Sequence, residues 1–275
     1  MTIMPSDKSV RLFFAVIALL LYSHAVDCQP RRITPRTIMR KMAARYADAA
    51  SYQDTGVVMD MKGGADNQGT VEIEFKTYFV RPHLFRFEWV DRDTVTLEER
   101  LNVVWNNGKR TFRYYSWDDP SVEREENIGI GLAGATGISR GSAHTVMTLL
   151  MKEVGGFRVT ELTGISLLGE DKVGGENCYV LRGYHPFKFP VDLWISKQDF
   201  LIRKTREPEG GGSYKVEIRK DVKLNVTTSR EIFNFKEPPY KRHSHPQPVA
   251  KLFMTGSHGI LINRRKKVVE KHTPS

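Results

Sequence analysis

The sequence predicts an α+β fold, a large curved antiparallel sheet with two helices covering its concave face. Three observations predict it. Residues 70–117 hold four strand-like runs with aromatics in period two, as where Phe85, Phe87 and Trp89 alternate with Arg86 and Glu88. More strand runs follow residue 157, joined by turns too short for parallel crossovers. One helical pattern precedes the strands and another interrupts them. An antiparallel sheet of this many strands twists and curls, and its concave side is where two helices find cover.

At the start of the chain, Lys8 and Arg11 precede the apolar run 12–22, and Ser23-His24-Ala25 follows. That run is shorter than the about 20 apolar residues a spanning helix needs, and the small residues suit a signal peptidase. Residues 1–25 are therefore expected to be a signal peptide, cut after Ala25. An uncleaved anchor is the alternative. Lipid attachment at Cys28 is a third option, for which Asp27 is a poor preceding residue.

Thr34-Pro35 has the form of a helix start, with threonine as N-cap and proline at the first helical position. Ile38, Met42, Arg45/Tyr46 and Ala49 then fall on one face of a helix running to about Ser51. Strands are expected at 54–62, 70–80, 83–91, 101–106 and 109–117. Arg81-Pro82 separates the second from the third, because proline lacks the N–H a ladder uses. Asn106-Asn107-Gly108 between two apolar runs is a hairpin signal. Residues 118–142 are acidic, then glycine-rich and without period, which predicts a long mobile loop hinging a lid. Ser142 is expected to cap a second helix over 143–154, with Val146, Leu149 and Leu150 on its apolar face. Strands resume at 157–169, 176–185, 189–195, 200–207 and 213–225. A last alternating element, Ile232 to Phe235, ends at Pro238-Pro239.

Charge is unevenly placed. The whole chain carries +10; residues 1–25 contribute +1 and residues 241–275 contribute +7, leaving +2 for residues 26–240. The body is nearly neutral, and the basic tail suits an anionic membrane surface or an acidic polymer more than nucleic acid, given export. Within the tail, apolar clusters at 252–254 and 260–262 precede Arg264, Arg265, Lys266 and Lys267, the expected membrane contact; a solvated tail is the bland alternative. Two cysteines, Cys28 and Cys178, are too few for a disulfide framework, so Cys178 is expected as a buried free thiol.

Several motifs carry less than their pattern promises. Gly129-Ile130-Gly131-Leu132-Ala133-Gly134 matches GxGxxG, but no buried strand precedes it and no helix is expected to open from it. His243, His245, His258 and His272 have no cysteine or acidic partners at metal-site spacing. Cys178 and His185 are an odd number of residues apart on a strand, hence on opposite faces. The carboxylate pairs Asp118-Asp119 and Glu170-Asp171 sit in turns. No catalytic set stands out; no enzyme, cofactor or metal is expected. Trp105, Trp117 and Trp194 are core or cavity residues, undivided by the sequence.

Several ordered segments together resemble the LolA/LolB superfamily of periplasmic lipoprotein carriers. FVRPHLFRF at 79–87 is similar to that family's arginine-proline turn with aromatic alternation. WNNGKRTFRYYSWDD at 105–119 is similar to its hairpin, and IFNFKEPPY at 232–240 to its closing segment. The resemblance covers residues 36–240; the tail and the long middle loop depart from it. It implies an unclosed β-barrel with helices as a lid, over residues 26–240, and a hydrophobic cavity that takes an acyl chain of a lipid or lipoprotein across the bacterial periplasm. The residues expected to line that cavity are Phe85, Phe87, Trp89, Trp105 and Phe112 from the strands, with Leu149 and Leu150 from the second helix. The alternative is a lipid-sensing or protein-docking module of the same fold without transport.

Overall fold

The computed structural model describes residues 33–62, 69–92, 98–117 and 121–236. The expected signal peptide, Cys28, Asp118-Asp119 and the basic tail with Arg264 to Lys267 lie outside them. Among the described residues, no helix is long and apolar enough to cross a membrane.

Helix α1, Pro35–Ala47, begins as its sequence demands: Thr34 is the N-cap and accepts a hydrogen bond from the Thr37 N–H at 3.2 Å. Ile38, Met42, Tyr46 and Ala49 are all buried. The last carbonyls of α1 are satisfied by Arg81, which donates to Ala49 O at 2.6 Å, Ala47 O at 2.7 Å and Tyr46 O at 3.1 Å. The Arg81-Pro82 turn, whose peptide bond is cis, thus also ties α1 to the sheet.

Eleven strands form one antiparallel sheet in the order β6-β5-β4-β3-β2-β1-β11-β10-β9-β8-β7. They are β1 Ser51–Lys62, β2 Gly69–Val80, β3 Leu84–Arg92, β4 Glu99–Asn107, β5 Thr111–Tyr115, β6 Val122–Glu125, β7 Thr163–Val173, β8 Glu176–Tyr184, β9 Pro190–Ser196, β10 Ile202–Glu209 and β11 Ser213–Leu224. Two meanders, β1–β6 and β7–β11, join where β1 pairs with β11; the unpaired edges are β6 and β7. The sheet is therefore unclosed, and the chain between its two edges carries the remaining helices.

Three of those helices are α2 Ile128–Ile138, α3 Ser142–Thr145 and α4 Met147–Leu150. They overturn two expectations. The glycine-rich stretch is a helix, not a loop, and the expected helix 143–154 is two single turns ending in extended Met151. Near its start, the expected strand 157–169 is instead coil and a 3-10 turn over Val159–Glu161. The last element is also not a strand: Arg230–Phe233 is a 3-10 turn capped by Ser229. Strand β6, four residues of mostly charged sequence, had no apolar alternation by which to be expected.

The core lies on the concave side. It joins the α1 face to Phe75, Phe85, Phe87, Trp89 and Val104 of the sheet and to Leu132, Met147 and Leu150 of the inserted helices. Each large side chain there contributes about 1.5–3 kcal/mol by leaving water.

Candidate functional site

Helix α2 is built by local and tertiary causes together. Asn127 caps it, its side-chain oxygen accepting from the Ile130 N–H at 3.0 Å. Ile128, Leu132 and Ala135 recur on one face and are buried. Glycine costs a helix about 1 kcal/mol against alanine, yet Gly131 has a packing reason. A Cβ there would sit 3.1 Å from Thr111 Cγ2 and 3.2 Å from Val104 Cγ1. The missing side chain lets α2 lie directly on β4 and β5.

The chain from Ser139 to Arg158 then folds into a plug pinned to the sheet at its first end and closed on itself at its last. Arg140 forms ion pairs with Asp60 at 2.5 Å and Glu209 at 2.6 Å. Arg158 donates to the carbonyls of Thr148, Lys152 and Val154 at 3.0–3.1 Å, closing the return. Ala143, Val146, Met147, Leu150, Met151 and Val154 are buried between.

Under the plug lies a buried charged cluster. Arg219 pairs with Asp54, which also accepts from the Tyr52 hydroxyl, and donates to Glu217 at 2.6 Å and to the Ser142 carbonyl at 2.9 Å. The Thr145 hydroxyl donates to the other Glu217 oxygen at 2.7 Å. Arg219, Asp54 and Glu217 are each at most 3 % exposed. Burial alone pulls the Arg219 guanidinium down, but the Glu217 and Asp54 carboxylates outweigh it and hold it well above its ordinary value. Burial pushes the Tyr52 hydroxyl well up, and Asp54 adds to it, so Tyr52 stays a neutral donor. Arg219 also stacks 4.9 Å over the Phe75 ring, which itself rests on Gly56: a Cβ at Gly56 would fall 2.2 Å from Phe75 Cζ. These charges are paired with one another and held by the plug, with one Asp54 oxygen, Oδ1, left without a hydrogen-bond partner. Among the described residues no group of histidine, cysteine and acidic side chains gathers as for a metal.

Beside the plug a cavity of about 700 Å³ opens between α2, residues 141–159 and the ends of β10 and β11. Ile130, Leu132, Ala133, Val154, Phe157 and Val159 supply its apolar lining. Its two charged residues, Glu207 and Lys215, are paired to each other at 3.0 Å. Asn127, Thr136, His144 and Thr145 add polar groups, so the lining is mixed, mainly apolar, with its charged pair neutralised. The volume falls within the range of about 300–1,000 Å³ usual for small-molecule sites.

The seven residues expected to line a cavity are split by the structure. Phe85, Phe87 and Trp89 face the concave side, at 0–1 % exposure. Phe75, Phe87 and Trp89 stack in series with centroids 5.6 and 5.4 Å apart, filling the space they enclose. Trp105 and Phe112 are on the opposite face, stacked at 5.3 Å. There Phe235 covers them, 5.0 Å from Trp105. Leu150 is buried in the core, and Leu149 packs half-buried against it. None of the seven lines the 700 Å³ cavity; Trp89 borders a smaller one of about 240 Å³ near Gly56. Trp194 also belongs to the outer face, with Cys178 and Val180, and donates to Asp171 at 2.9 Å. Cys178 is a buried free thiol, as its sequence setting predicts.

Residues 132–243 match the family described as a predicted periplasmic protein (DUF2092). That location is the one expected from the export signal. No curated protein matches the chain in sequence. Structural neighbours include proteins of the LolA superfamily. The LolA superfamily protein of Nitrosomonas europaea is 12 % identical, with a TM-score of 0.32, over 73 % of this chain and 97 % of its own. The lipoprotein LppX of Mycobacterium tuberculosis is 10 % identical, with a TM-score of 0.41, over 71 % and 98 %. A putative outer membrane lipoprotein-sorting protein domain from Vibrio parahaemolyticus is 11 % identical, with a TM-score of 0.35, over 73 % and 96 %.

Proposed function

We propose that this is a periplasmic binding protein that shelters an acyl chain of a lipid or lipoprotein in the cavity between α2, the plug and the β10–β11 ends, and carries it through water. The observation that carries the reading is the lining: a stretch of aliphatic side chains with Phe157, a mutually neutralised Glu207–Lys215 pair, and the polar groups of Asn127, Thr136, His144 and Thr145 at its border, around about 700 Å³. An exposed chain in water is unfavourable by about 0.8 kcal/mol per methylene, so a dry apolar hollow is sufficient to hold one. Phe85, Phe87 and Trp89 support this function as part of the packed core beneath the helices, rather than as the ligand's contacts.

Ala133 is exposed on α2 and borders the cavity, so it can be enlarged without disturbing the core. In Ala133→Trp the indole occupies the hollow. Binding of the neutral fluorescent probe N-phenylnaphthylamine is expected to weaken by about tenfold or more, with circular dichroism unchanged. Equal probe affinity in a folded Ala133→Trp protein would overturn the cavity assignment.

A docking module without transport is the second reading, and one feature favours it. Phe187, at the tip between β8 and β9, is 83 % exposed beside the His185 and Phe189 rings. Phe157, which lines the cavity, packs 4.0 Å from His185 at the base of the same tip. Transfer of labelled lipid between two vesicle populations separates the readings: a carrier accelerates it and a docking module does not.

A further inference from the structure

A second cavity, of about 650 Å³, lies between α1 and the first residues of β7. Its character differs from the first. Arg36 and Arg40 border it, one helical turn apart and therefore on one face of α1. Thr37 and Thr160 add hydroxyl groups, and Met39, Leu162 and Ile165 supply apolar surface. No acidic side chain lines it.

The two arginines stand apart from the others near the core. Arg81, Arg140, Arg158, Arg182, Arg203 and Arg219 each bind a carboxylate or a backbone carbonyl. Among the described residues, Arg36 and Arg40 have no hydrogen-bond or ion-pair partner. A guanidinium is charged at every working pH and presents its donors as a planar fork suited to carboxylate or phosphate. Both arginines are exposed, and two such forks beside Ile165 and the edges of Met39 and Leu162, with no carboxylate to answer them, suit a ligand that has both an anionic head and an alkyl part.

The geometry points to a second binding site here for an anionic amphiphile: Arg36 and Arg40 hold a phosphate or carboxylate head, and the alkyl part lies on Met39, Leu162 and Ile165. The site is separate from the cavity beside α2. Val159 lines that cavity and the adjacent Thr160 lines this one, so the turn Val159–Glu161 stands between them. Occupancy of one does not require occupancy of the other.

The test is calorimetric titration of the mature protein at low salt with three probes: monododecyl phosphate below its micelle concentration, inorganic phosphate and the uncharged dodecyl maltoside. Dodecyl phosphate is expected to bind more tightly than either of the others. Arg36→Gln/Arg40→Gln keeps good helix formers on an exposed face and is expected to weaken dodecyl phosphate by about tenfold or more. Arg36→Lys/Arg40→Lys, which keeps charge but loses the fork, is expected to fall between. In Ala133→Trp, whose indole fills the cavity beside α2, the dodecyl phosphate binding that remains is expected to be the part that Arg36→Gln/Arg40→Gln removes. Equal affinity in the Gln variant overturns the site. Phosphate binding as tightly as its dodecyl ester overturns the amphiphile, and the maltoside doing so overturns the role of charge. Loss of dodecyl phosphate in Ala133→Trp alone assigns that ligand to the cavity beside α2 and removes it from this one.

Discussion

The concave face holds two regions of opposite build. Over β2 and β3 it carries Phe75, Phe87 and Trp89, stacked on one another and covered by helices. Toward the ends of β10 and β11, α2 and the plug meet the sheet through glycine, alanine, threonine and aliphatic side chains, and there about 700 Å³ stays open. Rings fill space and small residues leave it. The most aromatic part of this sheet face is accordingly the part with least room for a ligand, and the proposed binding surface lies where side chains are too short to meet.

The sharpest way to break this comparison is to cut away the wall. Phe87 is fully buried, and Phe87→Ala is expected to destabilise the protein by about 3–5 kcal/mol. Urea unfolding measures the loss, and the folded fraction should still bind N-phenylnaphthylamine. A stable variant that no longer binds the probe would make the wall a ligand surface after all. A smaller effect is expected at the seam between the two regions. Gly131→Leu places a side chain where Val104 and Thr111 already stand within 3.2 Å, and is expected to cost about 1–3 kcal/mol as α2 lifts. An unchanged urea midpoint would mean that α2 is not seated on β4 and β5.

The smallest effect comes from outside both regions, on the sheet's outer face. Burial pushes the Cys178 thiol up from 9.0 to about 11. Its folded pKa lies above its unfolded one, so its contribution is full below pH 9 and is lost as pH rises toward 11. The urea midpoint should therefore fall between about pH 9 and about pH 11 in the native chain, and fall less in Cys178→Ala. Parallel behaviour of the two proteins would show that this thiol does not ionise on unfolding.

The sheet was largely legible because period two survives wherever one face is buried. Thr34-Pro35, the Asn106-Asn107-Gly108 turn and the Phe85–Trp89 alternation each predict what the structure has. Helix α2 was not legible, since five glycines over Gly129–Gly141 argue against a helix by propensity, and only a distant partner, the β4–β5 surface, makes a missing side chain useful. The site was half legible for a related reason. The ladder pairs Phe87 with Val104 and Arg86 with Trp105, so Trp105 points away from Phe87. Counting register outward from the Asn-Gly turn places Trp105 beside Phe112, but only the β3–β4 register, which that turn does not set, separates the two from the concave set. Nothing in the strands announces that Phe235, far along the chain, covers the outer face and lets it be aromatic too. The cavity itself is a difference between volumes contributed by α2, the plug and β10–β11, and no single segment encodes a difference.

The Asp54–Arg219–Glu217 cluster has a consequence for how the plug can move. Oily contacts are indifferent to direction, so a plug held by them alone would slide over the sheet and blur the hollow beside it. Hydrogen bonds have narrow angular limits. Arg219 grips the Ser142 carbonyl, and Glu217 grips Thr145, at one setting only. The cluster works as a detent: the plug is either seated at that notch, with the cavity at full definition, or released with the loss of both bonds, leaving the charged groups paired with one another but without their partners in the plug. An opening built this way is discrete rather than gradual, and the cavity keeps one shape until it gives way.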